Sequence, residues 1–89
     1  MISKWFLLKP RGVYMDAVEA FGKVLKEYRK ESKMTQEELA LSCDLDRTYI
    51  GLLERAKRQP TISTIFKIAE VLDVDPHVMI EDVEQLVFN

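Results

Sequence analysis

The sequence predicts an all-α domain of five helices, and three observations carry that prediction. Apolar residues recur at helical spacing along most of the chain. Residues that start helices stand ahead of those runs, in one repeated grammar. Outside residues 1–15, no run alternates with the period of two that a strand requires. The first helix, about 16–32, reads DAVEAFGKVLKEYRKES, with Val18, Phe21, Val24 (or Leu25) and Tyr28 on one face. The second, 36–42, opens at Thr35-Gln36-Glu37-Glu38. Thr35 can accept from the Glu38 amide while the Glu38 side chain reaches back, and Met34 and Leu39 are placed as a hydrophobic staple. The third, 47–55, repeats the cap at Asp46, with Leu45 and Ile50 as the staple. The fourth, 62–72, follows Pro60 and a cap at Thr61. The fifth, 76–88, has Asp75 as its cap, Pro76 at the favoured first position, and Val74 facing Met79. Residues 1–15 are read as an extension, an arm or short strand, and 16–89 as the domain.

With 89 residues the chain is large enough for one modest core without metals or disulfides. Cys43 is the single cysteine, which excludes an internal disulfide and points to a reducing cytoplasm. No apolar stretch is long enough to span a membrane, and MISKWFLLKPRG lacks the apolar core and cleavage site of a signal peptide. The net charge of −2 conceals a division. Lys4 to Lys67 holds all thirteen bases and nine acids, leaving it at +4, whereas the last 22 residues hold six acids and no base. Such asymmetry fits a basic face that meets a polyanion and an acidic end that does not. His77 has no second His or Cys to share a zinc ion, and no nucleophile–base pair or phosphate loop is present. No cofactor, metal or catalytic residue is therefore expected.

The chemistry concentrates between Gln36 and Arg58. The second and third helices are joined by too few residues to pack as a hairpin, and the small Ala40 lets one cross closely over the other. One helix then braces another that projects outward, the logic of a helix-turn-helix. The stretch TQEELALSCDLDRTYIGLLER, followed by the P-T-x-x-x-I-x-K-I-A-x-x-L pattern of 60–72, resembles the lambdoid phage repressor and Cro family. It is similar above all to restriction–modification controller proteins. The resemblance spans about residues 17 to 75 and implies a five-helix lambda-repressor-like fold that binds double-stranded DNA. Two positions depart from the pattern: Asp44 stands at the turn usually held by glycine, and Lys33 replaces the glycine common after the first helix.

With Ile50 and Leu53 turned inward, Thr48, Leu52 and Arg55 turn outward, Arg47 and Gly51 lie on one flank and Tyr49 on the other. A major groove presents base edges to the N-terminal side chains of such a helix. Arg47 can bond guanine O6 and N7 together, Thr48 can reach a base edge or phosphate, and Leu52 can touch a thymine methyl. Tyr49 is a weaker reader, since its ring can equally cover the edge of the core. The resemblance places Arg47, Thr48 and Leu52 at base-reading positions and Gln36 and Arg55 at backbone-contacting ones. Lys57 and Arg58 suit phosphates, and Gln59 suits either task. Gly51 marks either close approach of DNA or a tolerated helix glycine. The resemblance also makes Arg29 and Glu54 a structural ion pair. Cys43 falls inward, and the carboxylates of Glu81, Asp82 and Glu84 read as an exposed face.

In the fifth helix one stripe, about Met79, Val83 and Leu86, covers the core. The apolar residues beyond it lead to a proposed two-fold contact through Ile80, Val83, Val87 and Phe88. The expected function is a sequence-specific, homodimeric transcriptional regulator on a near-palindromic operator. The competing reading is an antitoxin or other protein-interaction module with autoregulatory DNA binding, its partner held by the N-terminal arm or the last helix. A third reading of that arm starts translation at Met15.

Overall fold

The computed structural model describes residues 15–88, and within them the chain forms five α-helices and no strand. These are α1 (Ala17–Glu31), α2 (Gln36–Cys43), α3 (Arg47–Glu54), α4 (Ile62–Val71) and α5 (Pro76–Val87). Each lies within one residue of its expected bounds. The expected arm falls, Met15 apart, outside the described residues. α1 packs against α3 and α5, α2 crosses α3 and touches α4, and α4 leans on α5. The core contains Phe21, Val24, Leu25, Leu39, Ile50, Leu53, Ile68 and Met79, and Ala40 and Cys43 are buried where α2 crosses α3. Both Val24 and Leu25 are buried, so α1 presents a broad apolar face to its neighbours.

Helix starts follow side-chain chemistry. Asp16 accepts from the Val18 amide, Asp46 from Thr48, and Thr61 from Thr64, while Thr35 and Glu38 form the full capping box. Asp75 occupies the N-cap of α5 without a side-chain bond to it. Pro76 at the first helical position already lacks one of the amides that a cap would satisfy. Helix ends are as uniform. Lys33, Asp44, Ala56 and Asp73 all take the left-handed conformation, with φ between 56° and 58°, although none is glycine. At each, the next residue's amide bonds a carbonyl five positions back and its own amide one three back. Met34 to Arg29 with Lys33 to Lys30, and Leu45 to Ala40 with Asp44 to Leu41, show the pattern. Met34, Leu45 and Val74 thus close one helix and precede the cap of the next, which is why three or four residues suffice to connect them.

Two packing features were not legible as patterns. Gly22 stands in the middle of α1, where a glycine is unfavourable. A Cβ there would lie 2.6 Å from the Leu53 carbonyl oxygen and 2.8 Å from that of Glu54, so its absence sets how closely α1 approaches the end of α3. The Tyr28 hydroxyl donates to Asp82, tying α1 to α5. That bond, with desolvation and the Asp82 charge, pushes the phenol pKa up to about 12. Asp82 is therefore half-buried and engaged, not part of an open acidic face; Glu81 and Glu84 are exposed. The apolar stripe of α5 also corrects the expectation. Met79, Val83 and Val87 recur every four residues and are buried in their own domain, while Leu86 is half-buried. Of the four residues assigned to a two-fold contact, Phe88 packs against the core as well and Ile80 is the exposed one.

Lys33→Gly should raise unfolding free energy by about 1 kcal/mol, because it relieves an L-residue held in the left-handed region. Gly22→Ala should lower it by ~1–3 kcal/mol, since backbone carbonyls cannot step aside as a side chain can. Urea unfolding of the two variants measures both, with opposite signs expected.

Candidate nucleic-acid interface

The site is organised by a carboxylate. Glu54, at the last turn of α3, accepts from Arg29 Nε at 2.6 Å and from Arg29 Nη2 at 3.0 Å, a bidentate pair between α1 and α3. Both side chains are largely withdrawn from water, at 11 % and 3 % exposure. The remaining Arg29 nitrogen, Nη1, donates to the Met34 carbonyl at 2.8 Å, in the turn leading to α2. Gln36 Nε2, at the start of α2, donates to Glu54 Oε1 at 3.0 Å. The carboxylate thus gathers three helices, and among the described residues no buried side-chain polar atom lacks a partner. Hydrogen bonding to Glu54 raises the Arg29 pKa further, overcoming the opposing effect of burial.

This scaffold fixes the outward face of α3. Ile50 and Leu53 are buried, as the spacing requires, and Arg47, Thr48 and Arg55 are exposed. Leu52 is half-exposed beside them. Tyr49 is half-buried and packs on the core, the alternative that its position left open. Asp46 bonds the Thr48 amide at 2.7 Å, so the N-terminal turn that displays Arg47 and Thr48 is held by its own cap. Beyond α3, Ala56 turns the chain in the left-handed conformation, and Lys57, Arg58 and Gln59 follow, all exposed. Gln36 does more than its sequence position implied. Its amide spends one of two N–H donors on Glu54, leaving one for an external acceptor. The Arg55 and Gln36 side chains lie over Gly51. The structure therefore brings Gln36 and Arg55 together, while Arg47 and Thr48 stand at the other end of α3. Cys43 is buried in the core, and burial pushes its thiol pKa up, away from reactivity. His77 is exposed on α5, and no cluster of metal-binding side chains occurs among the described residues.

A short helix braced by a second, with cationic and polar side chains displayed on its free face, defines the class: a helix-turn-helix DNA-binding regulator. Comparison with known proteins makes the assignment specific. The helix-turn-helix family model matches residues 25–78, and the chain belongs to that family. It is 44% identical over 57 residues to the control protein C.BamHI of Bacillus amyloliquefaciens, covering 63% of this chain and 70% of that one. Among solved structures it resembles the restriction–modification controller protein C.AhdI from Aeromonas hydrophila. That match has a TM-score of 0.68 and 37% identity, and covers 70% of this chain and 94% of the other. It also resembles the controller protein C.Esp1396I, solved as a tetramer in complex with its natural 35 base-pair operator. There the TM-score is 0.73 and the identity 36%, with 81% of this chain and 95% of the other covered.

Removing one partner of the buried pair should be far more damaging than removing both. Arg29→Met or Glu54→Leu alone should cost ~3–5 kcal/mol by stranding a charge. A double-mutant cycle in thermal or urea unfolding should then return a coupling of ~3 kcal/mol or more; strictly additive losses would contradict the assigned geometry.

Proposed function

We propose that this chain regulates transcription by binding double-stranded DNA sequence-specifically as a homodimer, on a near-palindromic operator. The observation that carries this reading is the free face of α3, with Arg47 and Thr48 at its N-terminal turn and its back locked to α1 and α2. The identity to controller proteins, one of them solved on its operator, supports the same reading. Arg47, Thr48 and Leu52 take the base-reading role. Gln36, Arg55, Lys57 and Arg58 take the phosphate role, with Gln59 beside them. Phosphate contacts set register and base contacts supply sequence preference. Tyr49, packed on the core, supports the reading helix more than it reads.

A dimer would place two copies of α3 roughly 34 Å apart, one helical turn of duplex. Its surface is best sought among the large apolar side chains left outside. These are Leu41 on α2, Ile62 and Phe66 on α4, 70% and 56% exposed and one helical turn apart, and Ile80 on α5. Ile62 and Phe66 are neighbours on one helix, beside an open groove that also holds Val71, Val74, Lys67 and Glu70, so α4 is the one helix that offers two of these side chains together. The double variant Ile62→Glu with Phe66→Glu should therefore sediment as a monomer where the parent chain is a dimer. The fold of the single chain should survive, because neither side chain belongs to its core, while the concentration-dependent stability that association supplies should be lost. Unaltered sedimentation would move the contact to Ile80 and α5.

Selection of bound sites from random duplex DNA tests the function directly, the expected product being an inverted repeat. On the selected site, Arg47→Ala should cost ~1–3 kcal/mol and relax preference at one base pair in each half. Lys57→Ala or Arg58→Ala should weaken all sequences alike and reduce the slope of log affinity against log salt by about one.

A further inference from the structure

Gly51 is buried although it has no side chain, and what buries it is informative. A Cβ at this position would lie 3.1 Å from Arg55 Nη1, 3.8 Å from Arg55 Cζ and 3.5 Å from Gln36 Oε1. The Arg55 guanidinium thus folds back one turn along α3 and meets the first turn of α2 over a space slightly too small for a methyl group. Gln36 is held there independently, by its bond to Glu54. Arg55 is not: among the described residues it makes no ion pair, and the Glu54 carboxylate is already taken by Arg29 and Gln36. An uncompensated cation lies beside the positive end of α2, and its orientation depends on the room above Gly51.

We propose that Gly51 is a positioning residue: the missing side chain is what sets the Arg55 guanidinium next to Gln36, so that the two grip one phosphate together. This rests on the DNA-binding function argued above. The two helical glycines differ in what a methyl group would meet. At Gly22 it strikes backbone carbonyls; at Gly51 it comes to 3.1 Å from the far end of a flexible side chain, which must give by a few tenths of an ångström. Gly51→Ala therefore improves the helix while pushing the guanidinium off its place beside Gln36, and stability and DNA affinity move in opposite directions.

The test measures affinity for the selected duplex over a range of salt, with thermal unfolding alongside. It uses the parent chain, Gly51→Ala, Arg55→Ala and the double variant. Gly51→Ala is expected to unfold at the same or a higher temperature, to bind about fivefold more weakly, and to lose nearly one unit of salt slope. The double variant should bind no more weakly than Arg55→Ala alone. Unchanged affinity and slope in Gly51→Ala, additive losses in the double variant, or a lowered unfolding temperature would each overturn the assignment. A parent chain that binds no duplex would instead overturn the DNA-binding function, and the clamp with it.

Discussion

Everything displayed by α3 depends on one carboxylate. An isolated eight-residue helix is unstable in water, so its orientation must come from tertiary contacts. Ile50 and Leu53 supply adhesion, but apolar contacts are weakly directional. Glu54 supplies direction, because a bidentate bond to a planar guanidinium fixes both distance and angle. The same carboxylate receives Gln36 from α2, so the bracing helix and the reading helix are set against one point. Gly22 makes this possible by letting α1 come close enough for Arg29 to reach. A buried charge pair is not an economical source of stability. Its value here is geometric, since three helices share a single register.

The rest of the fold is built by one repeated connection. A left-handed residue ends a helix, an apolar residue closes that end and opens the next, and a capping residue follows. Lys33-Met34-Thr35, Asp44-Leu45-Asp46 and Asp73-Val74-Asp75 are three copies of this device. The turn after α3 begins the same way at Ala56 but continues through Lys57, Arg58 and Gln59 before the cap at Thr61. The exception coincides with the basic stretch, which gives those side chains freedom that a three-residue turn would deny.

These local rules explain why the helices were legible in the sequence and why much of the interface was not. Caps, staples and periodicity are chemistry between near neighbours, and they fixed each helix to within one residue. Arg29 and Glu54 are 25 positions apart and carry no local signal of pairing; only the family resemblance joined them. Gly22 looks like any tolerated helix glycine until the α3 carbonyls are placed against it. Asp82 reads as one of several surface acids until Tyr28 is brought across from α1. On α5 the buried stripe takes Val87 in place of Leu86, so one residue expected at an association surface closes the core instead. The position of Gly51 offered two explanations, and the structure supplied a third that depends on where two long side chains lie.

The packing of α1 against α5 has a consequence for synthesis. Met79, Val83 and Val87 close a core begun by Phe21, Val24 and Leu25, and Tyr28 reaches Asp82 across 54 positions of sequence. A nascent chain that has made α1 to α4 already holds the helix-turn-helix in covalent form. It still lacks the surface that covers the remaining face of α1. Until α5 is made, that face stays wet, although Arg29, Gln36 and Glu54 are already present to make the brace on α3. Shutting the core is thus a separate event from orienting the reading helix, whose fixing bonds all lie among α1, α2 and α3.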